Sequence, residues 1–211
     1  MTKKLPSTPI LLNLDRRTDR LEASTQQLVK AGIDFQRFSA IDHPVGMNGV
    51  KLSMVEIFKA HLFRYPIEVG KVPLIVFEDD ITFNKEKAGE FLAKVMQEEL
   101  PEDFDLLFLG ANIWGPYQPF TENLVKVDKA VANHAMVYSW DVLLKLIAHY
   151  EDASNISQPT DILINIHILP AGNSYCINPP LCVQTSGYSD IQNRYIDYTR
   201  MDWHDQKPKR I

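Results

Sequence analysis

Three consecutive acids, Glu78-Asp79-Asp80, close the short apolar run Val72-Pro73-Leu74-Ile75-Val76-Phe77. Carboxylates at i and i+2 of an extended chain project to one side, so Glu78 and Asp80 share a face and Asp79 turns away. Two carboxylates so placed hold a hard divalent cation, and such a cation binds phosphate oxygens. The same acids also suit a solvated turn after a strand, and the residues alone leave both readings open. Arginines supply the complementary chemistry in Asn13-Leu14-Asp15-Arg16-Arg17-Thr18-Asp19-Arg20. Guanidinium forks match phosphate oxygens, and a metal neutralises the remaining charge, so the combination suits a ligand carrying a diphosphate. Each arginine taken singly equally suits a solvated helix start with local ion pairs.

These residues need elements that carry them to one place. The apolar run, bounded by Gly70 and the acids, reads as a buried strand of a mostly parallel sheet. Ligands of open α/β sheets sit beyond the carboxyl ends of the strands, which is where the acids are delivered. Pro9 to Leu14 reads as a first strand, followed by a helix through Leu21, Leu28 and Ala31. Asp19 and Glu22 have capping-box spacing, and Gly32 is its stop. A second strand over Ile33 to Ala40 completes a strand–helix–strand opening of α/β type.

Further on, Asp42 to Gly49 reads as a loop. Ser53 and Glu56 form a capping box for a helix over Met54 to Tyr65, with His61 on its apolar face. Glu86 to Leu100 is a helix, and Asp105 to Gly110 a third buried strand whose Asp105 lies at the amino end and is structural. Asn112 to Lys126 reads as a long loop at the ligand edge. Ala130 to Tyr138 is extended, and Ser139 caps a helix over Trp140 to Tyr150. Thr160 caps a short helix over Asp161 to Leu169. Tyr175 to Ile177 and Leu181 to Thr185 are short strands separated by Pro179-Pro180. The expected organisation is one α/β domain over residues 1–193 and a polar tail over 194–211.

Composition narrows the class. The chain has 211 residues, 45% hydrophobic and 23% charged, with a formal net charge of −5. That balance gives no electrostatic footprint for a nucleic-acid backbone. The two cysteines, Cys176 and Cys182, are too few for a disulfide framework and are expected as buried thiols. No segment has the length and apolarity of a membrane span or a signal sequence, so the expected place is the cytoplasm, with peripheral membrane contact still open.

In chain order, Asn13 to Arg20, Pro73 to Asp80, Phe104 to Gly110, Asn133-His134-Ala135-Met136-Val137-Tyr138-Ser139, Asp161, and Gln184 through Ser189-Asp190-Ile191 resemble the glycosyltransferases of family 25. These include bacterial lipopolysaccharide and lipooligosaccharide glycosyltransferases and the collagen galactosyltransferases. The resemblance spans residues 9–193. It implies a GT-A, Rossmann-like single domain with a central, mostly parallel mixed sheet flanked by helices. It further implies a UDP-sugar donor, Mn²⁺ or Mg²⁺, inversion at the anomeric carbon, and a glycan or hydroxylated protein acceptor.

Carried over by residue, the resemblance places Asn13, Leu14, Asp15, Arg16 and Arg20 near the uridine and diphosphate. Glu78-Asp79-Asp80 stands where such enzymes carry Asp-x-Asp. The departure to Glu leaves open whether Glu78 meets metal, ribose or water, and makes Asp80 the first metal ligand. His134 and Asp79 fall beside the donor, and Gln184, Ser189 and Asp190 are candidates for a further metal or donor contact. Asp161 is the candidate base, with Asp190 and a purely helix-stabilising role as alternatives. Two other functions remain open. One is a haloacid-dehalogenase-like phosphatase, in which Glu78 would stand in the nucleophile's place. The other is a glycosyltransferase-like binding subunit without turnover.

Overall fold

In the computed structural model, which describes residues 4–198, the expected strand–helix–strand opening is present. β1 (Ile10–Asn13) leads into α1 (Thr18–Lys30), and β2 (Gln36–Ser39) returns parallel to β1 with Asn13 opposite Ser39. Just beyond α1, Gly32 takes a φ of 69°, a left-handed turn that glycine adopts without a Cβ penalty. The capping box expected from Asp19 and Glu22 does not form. Arg17 is the N-cap without a side-chain cap bond, and its guanidinium binds the Asp19 carboxylate instead.

α2 (Gly46–Arg64) starts well before the expected Met54. Gly46 and Gly49 looked like loop punctuation, yet Gly49 serves close packing: a Cβ there would lie 2.5 Å from the Ile41 carbonyl oxygen. Ser53 is therefore inside the helix, donating to the Gly49 carbonyl at 2.7 Å and accepting from the Ile41 amide at 2.8 Å. β3 (Leu74–Glu78) is followed by β4 (Ile81–Phe83), α3 (Ala88–Glu98) and β5 (Leu106–Phe108).

The stretch expected as a long loop holds three short strands: β6 (Asn112–Ile113), β7 (Tyr117–Pro119) and β8 (Leu124–Val127). Its prolines hid them, but β7 is an edge strand, where a missing amide donor is tolerated. β9 (Ala130–Val131) and β10 (Ala135–Tyr138) follow, then α4 (Trp140–Glu151), capped by Ser139, whose Oγ accepts from the Val142 amide at 3.3 Å. α5 (Thr160–His167) has Pro159 at its N-cap, so Thr160 is its first residue and not its cap. β11 (Ser174–Ile177), β12 (Cys182–Gln184), β13 (Gly187–Ser189) and β14 (Arg194–Ile196) complete the chain. The stretch from Arg194 expected as a tail thus begins as a strand paired with β13, and residues 199–211 lie outside the described residues.

The central sheet is mixed, in the order β2-β1-β3-β10-β5-β11-β8-β7, with β10 and β8 running against the other strands. Alternating strand residues feed two apolar clusters. Val76, Phe108 and Met136 pack with Phe58 of α2 and Leu143 of α4 on one face. Ile75, Phe77 and Val137 pack with Leu28 of α1 and Leu92 of α3 on the other. Cys176 and Cys182 are free and buried. His61 is a core histidine, its Nε2 2.8 Å from the Val72 carbonyl. Among the described residues no helix is long and apolar enough to cross a membrane.

Candidate active site

β3 ends at Glu78, and Asp79-Asp80 form the turn into β4. The strict alternation expected of an extended strand therefore stops at Glu78. Glu78 lines a cavity, whereas Asp79 and Asp80 both turn to one guanidinium. Arg20 Nη1 donates to Asp79 Oδ1 at 3.0 Å and to Asp80 Oδ2 at 3.3 Å, and its Nη2 donates to the Tyr188 carbonyl at 2.8 Å. The second oxygen of Asp79 accepts from Asn13 Nδ2 at 2.7 Å. Asn13 is buried and also donates to the Arg17 carbonyl at 3.0 Å and accepts from Arg37 Nε at 3.1 Å.

The charges at this corner do not balance. Burial, together with the nearby Asp80 and Asp79 charges, pushes the Glu78 carboxyl up to about 8. Burial also raises Asp80 to about 6, although Arg20 and Gln184 pull it down. Glu78 and Asp80 retain their protons more readily because positive charge is short in this poorly solvated corner. Asp80 Oδ1 is buried and, among the described residues, has no hydrogen-bond partner. Among the described residues no group of three or more His, Cys, Asp or Glu side chains assembles that could hold a metal ion. Asp80 Oδ1 is the one carboxylate oxygen of this corner left for a hard cation, with Glu78 nearby but turned to the cavity, and phosphates and water would have to complete the shell.

The cavity beyond Glu78 has a volume of about 720 Å³ and is also lined by Asp161, Gln184 and Ser189. Asp161 reaches it from the first turn of α5, where its Oδ1 accepts from the Ile162 amide at 2.9 Å. Burial raises the Asp161 carboxyl, and backbone amides, including that of Ala132, offset part of the rise. Gln184 is brought alongside by β12, which pairs with β4 so that Gln184 faces Ile81. His134 lines an adjoining cavity of about 710 Å³ that shares Gln184. Its Nε2 lies 3.5 Å from the Cys182 carbonyl, and burial holds the imidazole down at about 4, so it is neutral at physiological pH.

The fold thus brings Glu78, Asp161 and Gln184 together, with His134 next door, and sets Asn13, Arg20, Asp79 and Asp80 behind them. Leu14, Asp15 and Arg16 line neither cavity. The half-buried Leu14 accepts from the Arg17 amide through its carbonyl at 2.9 Å, and the exposed Asp15 pairs with Arg37. Arg16 pairs with Asp42 at 2.7 Å and with Asp190 at 2.9 Å, and Arg17 also binds Asp190. Trp114, which the sequence did not single out, also lines the first cavity, as does Asn133, which opens the His134 motif but was given no role of its own. Asn133 follows Ala132, a non-glycine residue at a φ of 73°. Nothing in the residue types announces that backbone turn.

The sequence matches no family model and no curated protein. Solved structures give a likeness of fold. The chain overlays the crystal structure of a glycosyltransferase involved in the glycosylation of the major capsid of PBCV-1 with a TM-score of 0.58 and 10% identity, over 87% of this chain and 94% of that one. A197 from STIV overlays with a TM-score of 0.48 and 12% identity, over 89% of this chain and 93% of that one. The first likeness establishes a glycosyltransferase-like α/β fold.

Proposed function

We propose that the protein is a family-25-type glycosyltransferase that moves a hexose, galactose as first choice, from a UDP-sugar to a hydroxyl of a glycan or hydroxylated protein. The observation that carries this reading is the convergence of Glu78 and Asp161 on one cavity at the carboxyl end of β3, on a glycosyltransferase-like fold. In the proposed reaction the acceptor oxygen attacks the anomeric carbon from the face opposite the leaving group. The carbon–oxygen bond to UDP breaks, and the acceptor proton passes to a carboxylate of the protein.

Asp161 suits that proton because burial makes it more basic than an ordinary aspartate, which moves its pKa toward the operating pH. Glu78 and Asp80 would hold Mn²⁺ or Mg²⁺, which supplies charge neutralisation on the departing diphosphate. Arg20 orients the acids by gripping Asp79 and Asp80 from behind. Gln184, beside them on β12, offers an amide to the donor or to Asp80.

Thermal unfolding of the full chain with UDP and a panel of UDP-sugars, with and without Mn²⁺, tests the reading. A rise in midpoint with UDP that requires Mn²⁺, followed by UDP release in the presence of sugar acceptors, is expected. Metal-dependent binding without release for any donor would leave a non-catalytic binding subunit. Phosphate release from a phosphomonoester would favour the phosphatase.

A further inference from the structure

We infer that the cavity in front of Glu78 and Asp161 receives the ring of an uncharged sugar, stacked on Trp114 and paired through its hydroxyls with the Asn133 amide. Calling that sugar the acceptor rests on the transferase reading, whereas its binding does not.

Charge is the first ground. The lining includes the carboxylates of Glu78 and Asp161 and amides from Asn112, Asn133, Asn178 and Gln184, and no lysine, arginine or histidine among the described residues. An anionic ligand would meet the Asp161 carboxylate with no counter-cation from the described residues on the walls. Glu78, raised to about 8, is largely protonated near pH 7 and offers a hydroxyl in place of a charge. Arg16, Arg17 and Arg20 all lie outside this cavity and grip Asp190, Asp79 and Asp80. Those arginines are already paired with carboxylates, so a diphosphate would rely on the cation proposed for Glu78 and Asp80, and the cavity's own walls suit a neutral polyhydroxyl ligand.

Trp114 is the second ground. Its side chain is at the cavity wall with the residue 64% exposed, while its backbone amide is anchored on the Lys129 carbonyl at 3.0 Å. Met47, Val50, Ile113 and Ile162 also line the recess, so the exposed indole continues an apolar wall against which a flat ring can lie. The C–H face of a pyranose presents weakly positive hydrogens to the negative face of an indole, so ring and sugar stack without charge.

Asn133 is the third ground. Among the described residues its Oδ1 and Nδ2 find no hydrogen-bond partner and are closed to water, an arrangement that costs stability and that a turn of the side chain into the cavity it lines would relieve by meeting a ligand there. The residue is pinned on both sides. Ala132 before it takes the strained left-handed backbone, and the His134 carbonyl after it accepts from the Glu78 amide at 2.8 Å. One amide offers a donor and an acceptor close together, which is what two neighbouring ring hydroxyls require.

Saturation-transfer NMR on the full chain, with the methyl glycosides of glucose, galactose, mannose and N-acetylglucosamine, tests this against glucuronate and glucose 6-phosphate. At least one neutral glycoside should bind, and Trp114→Ala and Asn133→Ala should each weaken it by about tenfold or more. Trp114→Phe should retain most of the binding, and unchanged unfolding midpoints show that the variants are folded. Absence of binding by every neutral glycoside, preference for the charged sugars, indifference to both truncations, or displacement of the glycoside by uridine would each overturn the inference. UDP binding measured separately keeps the two readings apart: sugar binding without UDP binding retains the cavity assignment and removes the transferase.

Discussion

Asn13 donates its side-chain amide to Asp79 Oδ2 at 2.7 Å, tying the end of β1 to the turn that follows β3. A neutral side chain thereby fixes the acid that Arg20 holds from the other side. Asn13→Ala removes this bond together with those to the Arg17 carbonyl and the Arg37 guanidinium. Leaving a half-buried carboxylate short of one donor costs about 2 kcal/mol. Urea unfolding should show a lower midpoint with an unchanged slope, and an unaltered midpoint would mean that water replaces the amide without loss.

Among the described residues Arg20 is the single cation gripping Asp79 and Asp80, with 17% of its side chain exposed. Arg20→Ala is expected to weaken UDP binding by about 1–3 kcal/mol, as loss of a charged hydrogen bond does. Lysine in its place should recover only part of this, since one ammonium cannot meet the two carboxylates and the Tyr188 carbonyl with the separate nitrogens that the guanidinium offers. The exposed pair Lys59–Glu151 is the control, and Lys59→Ala should leave UDP affinity unchanged. Titration calorimetry of UDP with Mn²⁺ decides, and equal affinity in Arg20→Ala would make the residue purely structural.

What the sequence disclosed was mostly what local pattern encodes. β1, β3, β5 and β11 are short apolar runs, and α3 and α4 have a clear apolar stripe with a stop or a cap, so each was legible. α2 began earlier than expected because Gly49 packs against Ile41 rather than breaking the helix, a tertiary fact with no local sign. The alternation of Glu78, Asp79 and Asp80 failed for a related reason: the strand ended one residue into the acids, and only the Arg20 contacts reveal where the other two went. Asn133 lay inside a quoted motif, yet its unpaired amide depends on the Ala132 backbone and could not be read from residue types.

Asp80 is the acid whose removal should separate function from folding. Among the described residues its Oδ1 has no partner, and its Oδ2 shares with Asp79 an arginine nitrogen that Asp79 alone can still occupy, so the contact with Gln184 is the one bond lost outright. Asp80→Ala should therefore unfold within about 1 kcal/mol of the parent, in the range of substitutions that break no satisfied network. Metal-dependent UDP binding should be lost. Retention of UDP affinity with the same Mn²⁺ dependence would move the metal away from this corner.

Asp161→Asn should keep UDP affinity and lose turnover by about 10²–10⁴-fold, the usual contribution of a positioned base. The parent carries a second signature. A base works ionised, and burial raises the pKa of Asp161 above 3.8, so kcat should fall as pH drops through that raised value. The asparagine variant has no such limb. Equal turnover in both proteins would leave Asp161 as a helix-start acid, and Asp190, held by Arg16 and Arg17, would become the residue to test.

His134 predicts the acid limb of stability. Burial keeps its imidazole neutral, with a folded-state pKa of about 4 against an ordinary 6.5. Below 6.5 the unfolded chain takes up a proton that the folded chain refuses, so stability falls as pH drops from 6.5 towards 4 and is intact above 6.5. A depression of this size is worth up to ~3 kcal/mol, at 1.36 kcal/mol for each pH unit. His134→Gln preserves a polar group opposite the Cys182 carbonyl but cannot titrate, so its stability should depend less on pH across that window. Urea midpoints at pH 7 and pH 4.5 for both proteins make the comparison. Parallel losses in the two would assign the acid limb to other groups and leave His134 without a part in it.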